Sequence, residues 1–370
     1  MYSILDQEKL EEFRKKEKLQ PFRIKQIYRN IFKNSIIDFD DMTDLSKDLR
    51  KKLKENFYIV SLQATDILEW ENTTKINFKN KKWHNFETVL MFHWWKKDGT
   101  WNIPNWYNKP LNRITICLSS QIGCAVWCKF CVTWKLWFMD NLEYSEIVEQ
   151  ILFANAYIKN KFWKKEDDTL FKVRNVVFMW MWEPLLNYEN VKKSIKYMLG
   201  QNYLDLSKRH VTISTSWIVP WIKKLIEDRL EVMLAVSLHS ANPKTREDIM
   251  PITKRYNLDE LMEVLDEYVK ATNHRIFYEY IMIKDKTDTL EQAKYLSNLL
   301  KNRYAHINLI YYNENPIVDY ESTTEENMTK FKNYLEKHWI TVTTRDIMWR
   351  ELKWACWQLG YEKAKEKVKS

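Results

Sequence analysis

The chain has 370 residues, 45% of them hydrophobic, with a net charge of +9 and a pI near 9.0, enough for one large domain plus a smaller one and for a sizeable core. It contains no run of 18 apolar residues, and its N-terminus lacks the charged head and apolar stretch of a secretory leader, which argues against a membrane span and for a soluble cytoplasmic protein. Of its five cysteines, four lie between positions 117 and 131, a crowding that excludes a secreted disulfide framework and suits a reducing compartment.

Residues 1–60 read as a small helical domain of mixed charge, expected to face RNA. A first short helix covers Leu5 to Phe13. Pro21 opens a second, whose Phe22, Ile24, Ile27, Tyr28, Ile31 and Phe32 recur at helical spacing, and Asp44 or Ser46 caps a third through Leu53. From Ile59 to about Met91 the pattern alternates in the manner of strands. Residues 61–110 form a strand-rich basic connector, and the interval Lys75 to Arg113 carries eight Lys/Arg against Glu87 and Asp98. With Phe78, Phe86, Phe92 and Tyr107 it predicts either a basic surface that stacks bases or a solvated strand face.

Residues 111–346 alternate strands and helices. Strands are predicted at Arg113–Leu118, Asn175–Met179, Val211–Thr215, Glu231–Ser237, Arg275–Met282 and His306–Tyr311, with a last one at Ile340–Arg345. Helices are predicted near 144–159, 188–199, 219–227, 257–271, 289–300 and 323–338. Six βα units in succession predict an α/β fold, a partial (βα)6 barrel behind an N-terminal helical domain. The polar residues after each strand then converge on the C-terminal mouth of the barrel. Residues 347–370 form a C-terminal segment.

One feature of the composition is anomalous. The chain has four glycines, at 99, 123, 200 and 360, and 18 tryptophans, where average glycine usage of about 7% would give roughly 26. Strand-to-helix turns need residues that tolerate positive φ. We expect many of these tryptophans to be glycines in the natural protein, encoded by UGA that the source reads as glycine.

The segment from Gly123 to Cys131 places Cys124, Cys128 and Cys131 at spacings of x3 and x2. Thiolates select zinc, copper(I) or iron–sulfur clusters. Three from one loop can hold three corners of a cubane and leave its fourth iron open, whereas a zinc site usually adds a second knuckle, and the chain has no second Cys-x2-Cys. A zinc or structural-thiol role remains the alternative.

The cysteine spacing resembles the radical S-adenosylmethionine (SAM) signature. Nearly the whole chain resembles the radical SAM family of adenine C2-methyltransferases that modify 23S ribosomal RNA and transfer RNA. The likeness rests on segments 22–28, 38–43, 87–89, 119–124, 176–187, 214–216, 235–239, 308–310 and 355–359. The family pattern has glycine at Trp180, Trp182, Trp217 and Trp357, and at Trp134 and Trp137. This regular replacement fits the codon expectation. Tryptophan at 180 and 182 would instead block the backbone approach to SAM and point to an inactive iron–sulfur or zinc RNA-binding protein.

The resemblance implies that Cys124, Cys128 and Cys131 bind a [4Fe-4S] cluster, and that Trp182, Glu183, Ser214, Ser237, Leu238, His239 and Asn313 bind SAM, two molecules per turnover. It implies that Cys356 carries a methyl group, that Glu87 removes the C2 proton and that Cys117 resolves the protein–RNA adduct through a transient disulfide. The implied partners are 23S rRNA and tRNA and an electron donor such as flavodoxin or ferredoxin, with no membrane and a monomeric state. The homologous C8-methylating resistance enzyme shares the cluster and the cysteine pair, and the long N-terminal helical region favours C2. Asp285 and Asp288 are read as structural.

Overall fold

The computed structural model describes residues 1–70, 72–94, 111–133, 137–162, 171–181, 183–216, 218–315 and 317–345. The expectations for Tyr107, Trp134, Trp182, Trp217, Cys356 and Trp357 lie outside them, as does the segment 347–370.

The chain begins with β1 (Tyr2–Ser3), α1 (Gln7–Lys16), α2 (Pro21–Tyr28), α3 (Lys47–Asn56) and β2 (Phe57–Tyr58), with β1 and β2 paired in parallel. Side chains satisfy the first amides of two of these helices: Asp6 accepts from Lys9 N at 3.1 Å and Ser46 from Leu49 N at 3.3 Å. Asp44, the other candidate cap, is engaged elsewhere, accepting from Gln26 Nε2 at 2.8 Å and Asn30 Nδ2 at 2.7 Å. Next come β3 (Gln63–Trp70), β4 (Thr73–Lys79), β5 (Asn85–Trp94), β6 (Leu111–Ser119), β7 (Gln121–Ile122) and β8 (Asp140–Asn141). Then α4 (Tyr144–Phe162), β9 (Val173–Met181), α5 (Tyr188–Leu199), β10 (Val211–Thr215), α6 (Val219–Glu227), β11 (Met233–Ser237) and α7 (Pro243–Ile249) follow. The chain continues through α8 (Leu258–Thr272), β12 (Ile276–Met282), α9 (Leu290–Leu300), β13 (Ala305–Tyr311), α10 (Glu325–Lys337) and β14 (Thr341–Arg345).

Two compact units are built from these elements. The first comprises Met1–Leu118, Leu142–Val177 and Glu189–Val211, and the second Ser119–Asn141, Phe178–Tyr188 and the chain from Thr212 onward. In the first, the N-terminal helices bury Leu10, Phe13, Ile27, Ile31, Leu49 and Leu53 in one core with Val148, Leu152 and Tyr197 from α4 and α5. Beside this core β3, β4, β5 and β6 form an antiparallel series, followed by the first half of β9.

Strand alternation in this series overturns one expectation. Phe78, Phe86 and Phe92 are at most 2% exposed, so they cannot stack on RNA bases. Their positions alternate onto the covered face, where Phe78 meets Phe153 of α4 edge-on at 5.2 Å and Phe92 meets Phe162 at 5.4 Å. Truncating one such ring to alanine costs about 3–5 kcal/mol.

In the second unit the strand order is sequential from the second half of β9 through β10, β11, β12 and β13 to β14, and each neighbouring pair from β10 to β14 is parallel. Helix α8 shows why the connections are helical. Leu258, Leu261, Met262, Leu265 and Tyr268 recur on one buried face, Asn257 caps the start by accepting from Glu260 N at 2.9 Å, and Asn273 ends the helix in the left-handed region (φ 54°).

Candidate active site

A cavity opens in the second unit at the C-terminal ends of its strands, the place where βα folds gather reactive groups. Each strand contributes: Met179 from β9, Ser214 and Thr215 from β10, Ser237 from β11, Glu279 from β12, Ile310 from β13 and Arg345 from β14. Cys124, Cys128 and Cys131 line the same cavity.

The cysteine loop is held in place by its backbone. Gly123 has φ +80°, and a Cβ there would lie 1.5 Å from the carbonyl oxygen of Trp137, so the loop closes only around glycine. Cys131 N donates to Cys128 O at 3.0 Å, and Val126 N donates to Cys124 Sγ at 3.4 Å. Lys129 joins the loop to the end of α7, its amide donating to Ile249 O at 2.9 Å and its ammonium meeting Asp248 Oδ1 at 2.7 Å. Burial first, and then the negative charge of Cys131, push the Cys124 thiol up to about 12; the same causes raise Cys128 well above the usual thiol range. Such thiols ionise only against a cation or metal.

A guanidinium stands beside them. Arg246, wholly buried on α7, donates to Leu238 O at 3.0 Å, to Ser237 O at 3.2 Å and to Thr253 Oγ1, and its charge opposes the rise at Cys128. These bonds also fix Ser237 and Leu238, two of the expected SAM-binding positions. His239 follows in the left-handed region (φ 57°), 5% exposed, with Nδ1 accepting from Ile281 N at 3.1 Å and the ring edge-on to Phe130 at 4.9 Å. Burial and then Arg246 hold its pKa down to about 3. The imidazole is therefore neutral with its proton on Nε2.

Glu183, 2% exposed, ties two strand ends together. Its Oε2 accepts from Ser216 N at 2.6 Å and Ser216 Oγ at 2.8 Å, and its Oε1 from Leu185 N at 3.2 Å. Burial raises its pKa and the bonds from Ser216 oppose the rise. Of the expected SAM-binding residues described, Glu183, Ser214, Ser237 and His239 line the cavity. Leu238 is not among the lining residues; its amide donates to Glu279 O at 3.0 Å. Asn313, two residues past β13, is not among the lining residues.

Sequence reading missed Glu279, Arg345 and Arg246. Glu279 Oε1 accepts from Asn308 Nδ2 at 2.9 Å and Arg345 Nη2 at 3.1 Å. The available signal was a lone carboxylate inside the apolar strand β12. Asp288, by contrast, is structural as read: it accepts from Asp285 N at 2.8 Å and Thr323 Oγ1 at 2.7 Å.

Glu87 and Cys117 belong to the first unit, and its register brings them together. Val89 on β5 pairs with Cys117 on β6 and with Lys75 on β4, and Glu87 lies two residues before Val89. Lys75, Glu87 and Cys117 therefore share one face across three adjacent strands. Lys75 Nζ meets Glu87 Oε1 at 3.1 Å, with the two side chains 10% and 17% exposed. Cys117 is 2% exposed.

Two family descriptions match this chain: "Ribosomal RNA large subunit methyltransferase N-terminal domain" over residues 4–59 and "Radical SAM superfamily" over residues 118–296. The chain is 40% identical over 346 residues to the "Probable dual-specificity RNA methyltransferase RlmN" of Aquifex aeolicus (strain VF5), covering 92% of this chain and 91% of that relative. The chain belongs to the RlmN family of radical SAM dual-specificity RNA methyltransferases. The relative of that name from Clostridium novyi (strain NT) is 35% identical over 354 residues, covering 95% of each chain. The solved radical SAM methyltransferase from Sphaerobacter thermophilus matches with a TM-score of 0.85 at 29% identity, over 97% of this chain and 99% of that one.

Membership of the radical SAM superfamily implies SAM and a [4Fe-4S] cluster. Among the described residues no three ligating side chains converge on a single-ion position, but a cubane does not ask for that. Each thiolate binds its own iron, and three thiols around one cavity form such a donor set. Among the described residues no helix is long and apolar enough to cross a membrane.

Proposed function

We propose that this enzyme places a methyl group on C2 of adenine in 23S rRNA and in tRNA, through an S-methylcysteine formed at Cys356. The observation that carries the reading is the shared sheet face of Glu87 and Cys117, a base and a thiol 30 positions apart in sequence and diagonal neighbours across β5 and β6.

The division of labour follows from the target atom. C2 of adenine is an electrophilic amidine carbon, so a methyl cation finds no nucleophile there, and a carbon radical does add. Bound together, the [4Fe-4S] cluster and SAM supply a transferable methyl and a 5′-deoxyadenosyl radical. Cys124, Cys128 and Cys131 would hold the cluster, and Glu183, Ser214, Ser237 and His239, which line the cavity, would contact SAM, with Trp182, Leu238 and Asn313 assigned to it by the family likeness alone. Neutral His239 and the hydroxyls of Ser214 and Ser237 orient the cofactor without adding charge. Cys356, its methyl having given one hydrogen atom to the 5′-deoxyadenosyl radical, would carry the resulting methylene to C2 and be left joined to the RNA, the unpaired electron on the base returning to the iron–sulfur centre. Glu87 takes the C2 proton. Cys117 then attacks the Cys356 sulfur; the sulfur–carbon bond breaks with its electron pair on carbon, which takes up a proton to complete the methyl, and the disulfide is left for two-electron reduction by a thiol, while a donor such as flavodoxin or ferredoxin would supply the single electron that SAM cleavage needs. The enzyme works as a monomer in the cytoplasm.

Anaerobic reconstitution with iron and sulfide tests the reading. A brown protein that turns SAM into 5′-deoxyadenosine and yields 2-methyladenosine in RNA supports it. A colourless zinc protein that binds RNA without consuming SAM contradicts it, and 8-methyladenosine moves the site of attack to C8.

A further inference from the structure

We propose that Lys75 is a positioning residue for the base Glu87, holding the carboxylate where the C2 proton is removed; this rests on the function proposed above. Lys75 and Cys117 each stand directly across from Val89, on β4 and β6, so the ammonium, the carboxylate and the thiol lie on one face of three neighbouring strands. The ammonium is 3.1 Å from Glu87 Oε1, and both groups are largely withdrawn from water. A flexible carboxylate in such surroundings has several rotamers. The ion pair selects one, and the backbone ladder on both sides of β5 fixes the distance between them. When Glu87 takes the proton, the pair becomes a neutral acid beside an ammonium, and the positive charge stays on the sheet face that also bears Cys117, the next group to act as an anion. Lys75 thus links proton removal to thiol attack without touching the reacting atoms.

The test separates the steps. The reconstituted full chain is given SAM with an in vitro transcribed tRNA or 23S rRNA fragment. Cys356 methylation is read by mass spectrometry, protein–RNA adduct on a denaturing gel, and methylated adenosine by nucleoside analysis. Lys75→Met is expected to load methyl on Cys356 and form adduct as the parent does, but to release product about 10²-fold more slowly, so that adduct accumulates. Lys75→Arg restores release. Lys75→Gln, which keeps a polar donor without the charge, serves where the methionine variant does not fold, and it too accumulates adduct. Glu87→Gln is the control. If Glu87→Gln traps adduct while Lys75→Met and Lys75→Gln release normally, the role of Lys75 is overturned and that of Glu87 stands. If Glu87→Gln itself releases normally, the base assignment fails and Lys75 with it.

A second inference rests on backbone geometry alone. Among the described residues eleven non-glycine positions have positive φ, and three are tryptophans: Trp83 (65°), Trp137 (56°) and Trp339 (60°). Bulky side chains avoid this region, and these are 72%, 56% and 97% exposed, so burial gives little in return. The surrounding hydrogen bonds are those of glycine motifs. After α10, Trp339 N donates to Glu336 O at 3.0 Å and Ile340 N to Leu335 O at 3.2 Å, the pair that ends a helix on a left-handed glycine. Between β4 and β5, Trp83 N donates to Asn80 O at 3.0 Å, and Asn80 N to His84 O at 2.9 Å, a turn followed by a left-handed residue.

The geometry assigns glycine to positions 83, 137 and 339 of the natural protein, with UGA as the codon. Mass spectrometry of peptides from protein isolated from its own source is expected to find glycine at all three. Tryptophan there overturns the assignment. Recombinant Trp339→Gly is expected to melt at a higher temperature than the tryptophan form, and a lower melting temperature contradicts it.

Discussion

Ser216 donates both its amide and its hydroxyl to Oε2 of Glu183, at 2.6 and 2.8 Å, joining the end of β9 to the end of β10 inside one unit. The carboxylate acts as a brace between two loops that line the cavity. Glu183→Ala removes the acceptor from three donors and is expected to destabilise the protein by about 2–3 kcal/mol. SAM affinity should fall at least as far as loop order does, and calorimetric titration of the anaerobic protein measures it. Ser216→Ala, which keeps the amide bond, should have the smaller effect.

Gly123 cannot be replaced without moving the loop, because the Cβ of even alanine would lie 1.5 Å from Trp137 O, a backbone atom. Gly123→Ala is therefore expected to fold its sheet but reconstitute with less than a full complement of iron. Iron and sulfide analysis together with far-ultraviolet circular dichroism separates this local failure from general unfolding. A fully loaded variant would show that the loop tolerates a different path.

Glu149 on α4 makes stability depend on pH. Its Oε2 accepts from Ser61 N at 2.7 Å, Ser61 Oγ at 2.9 Å and Leu62 N at 3.2 Å, yet burial lifts its pKa to about 7, with Glu146 on the same helix adding to the rise. A carboxyl raised in the folded state binds its proton more tightly there than in the unfolded chain. Its contribution is thus present below the ordinary carboxyl range and is lost as pH rises through about 7. Against the parent, Glu149→Gln is expected to be about 2–3 kcal/mol better placed at pH 8 than at pH 5. Urea denaturation at the two values checks it, and identical differences at both contradict the assignment.

The order of strands and helices was legible in the sequence because local rules set it. Apolar periodicity marked α8, and the cysteine spacing marked the loop. What stayed hidden depends on register. That Lys75 meets Glu87 follows from which residue of β4 lies across from which residue of β5, and a slip of one position would turn one of them to the other face. The same holds for Glu279 and Arg345, 66 positions apart. Phe78, Phe86 and Phe92 misled for the converse reason: an aromatic in a basic strand reads alike whether its face meets a helix or a base. Helix α7 went unread because it spans seven residues, too short for a periodicity to declare itself.

Cysteine chemistry at the second unit's loop should be separable from that proposed for Cys117 and Cys356. Cys117→Ala is expected to leave SAM cleavage intact and to trap protein joined to RNA, visible as a retarded band on a denaturing gel. Free turnover by this variant contradicts its resolving role.

The central claim is that a thiol delivers the carbon, and labelled SAM tests it most directly. After incubation of the reconstituted enzyme with methyl-labelled SAM in the absence of RNA, peptide mass spectrometry is expected to find the label on Cys356, and addition of RNA should move it to C2 of adenine. Methylation of RNA with no label ever found on Cys356 would contradict the account.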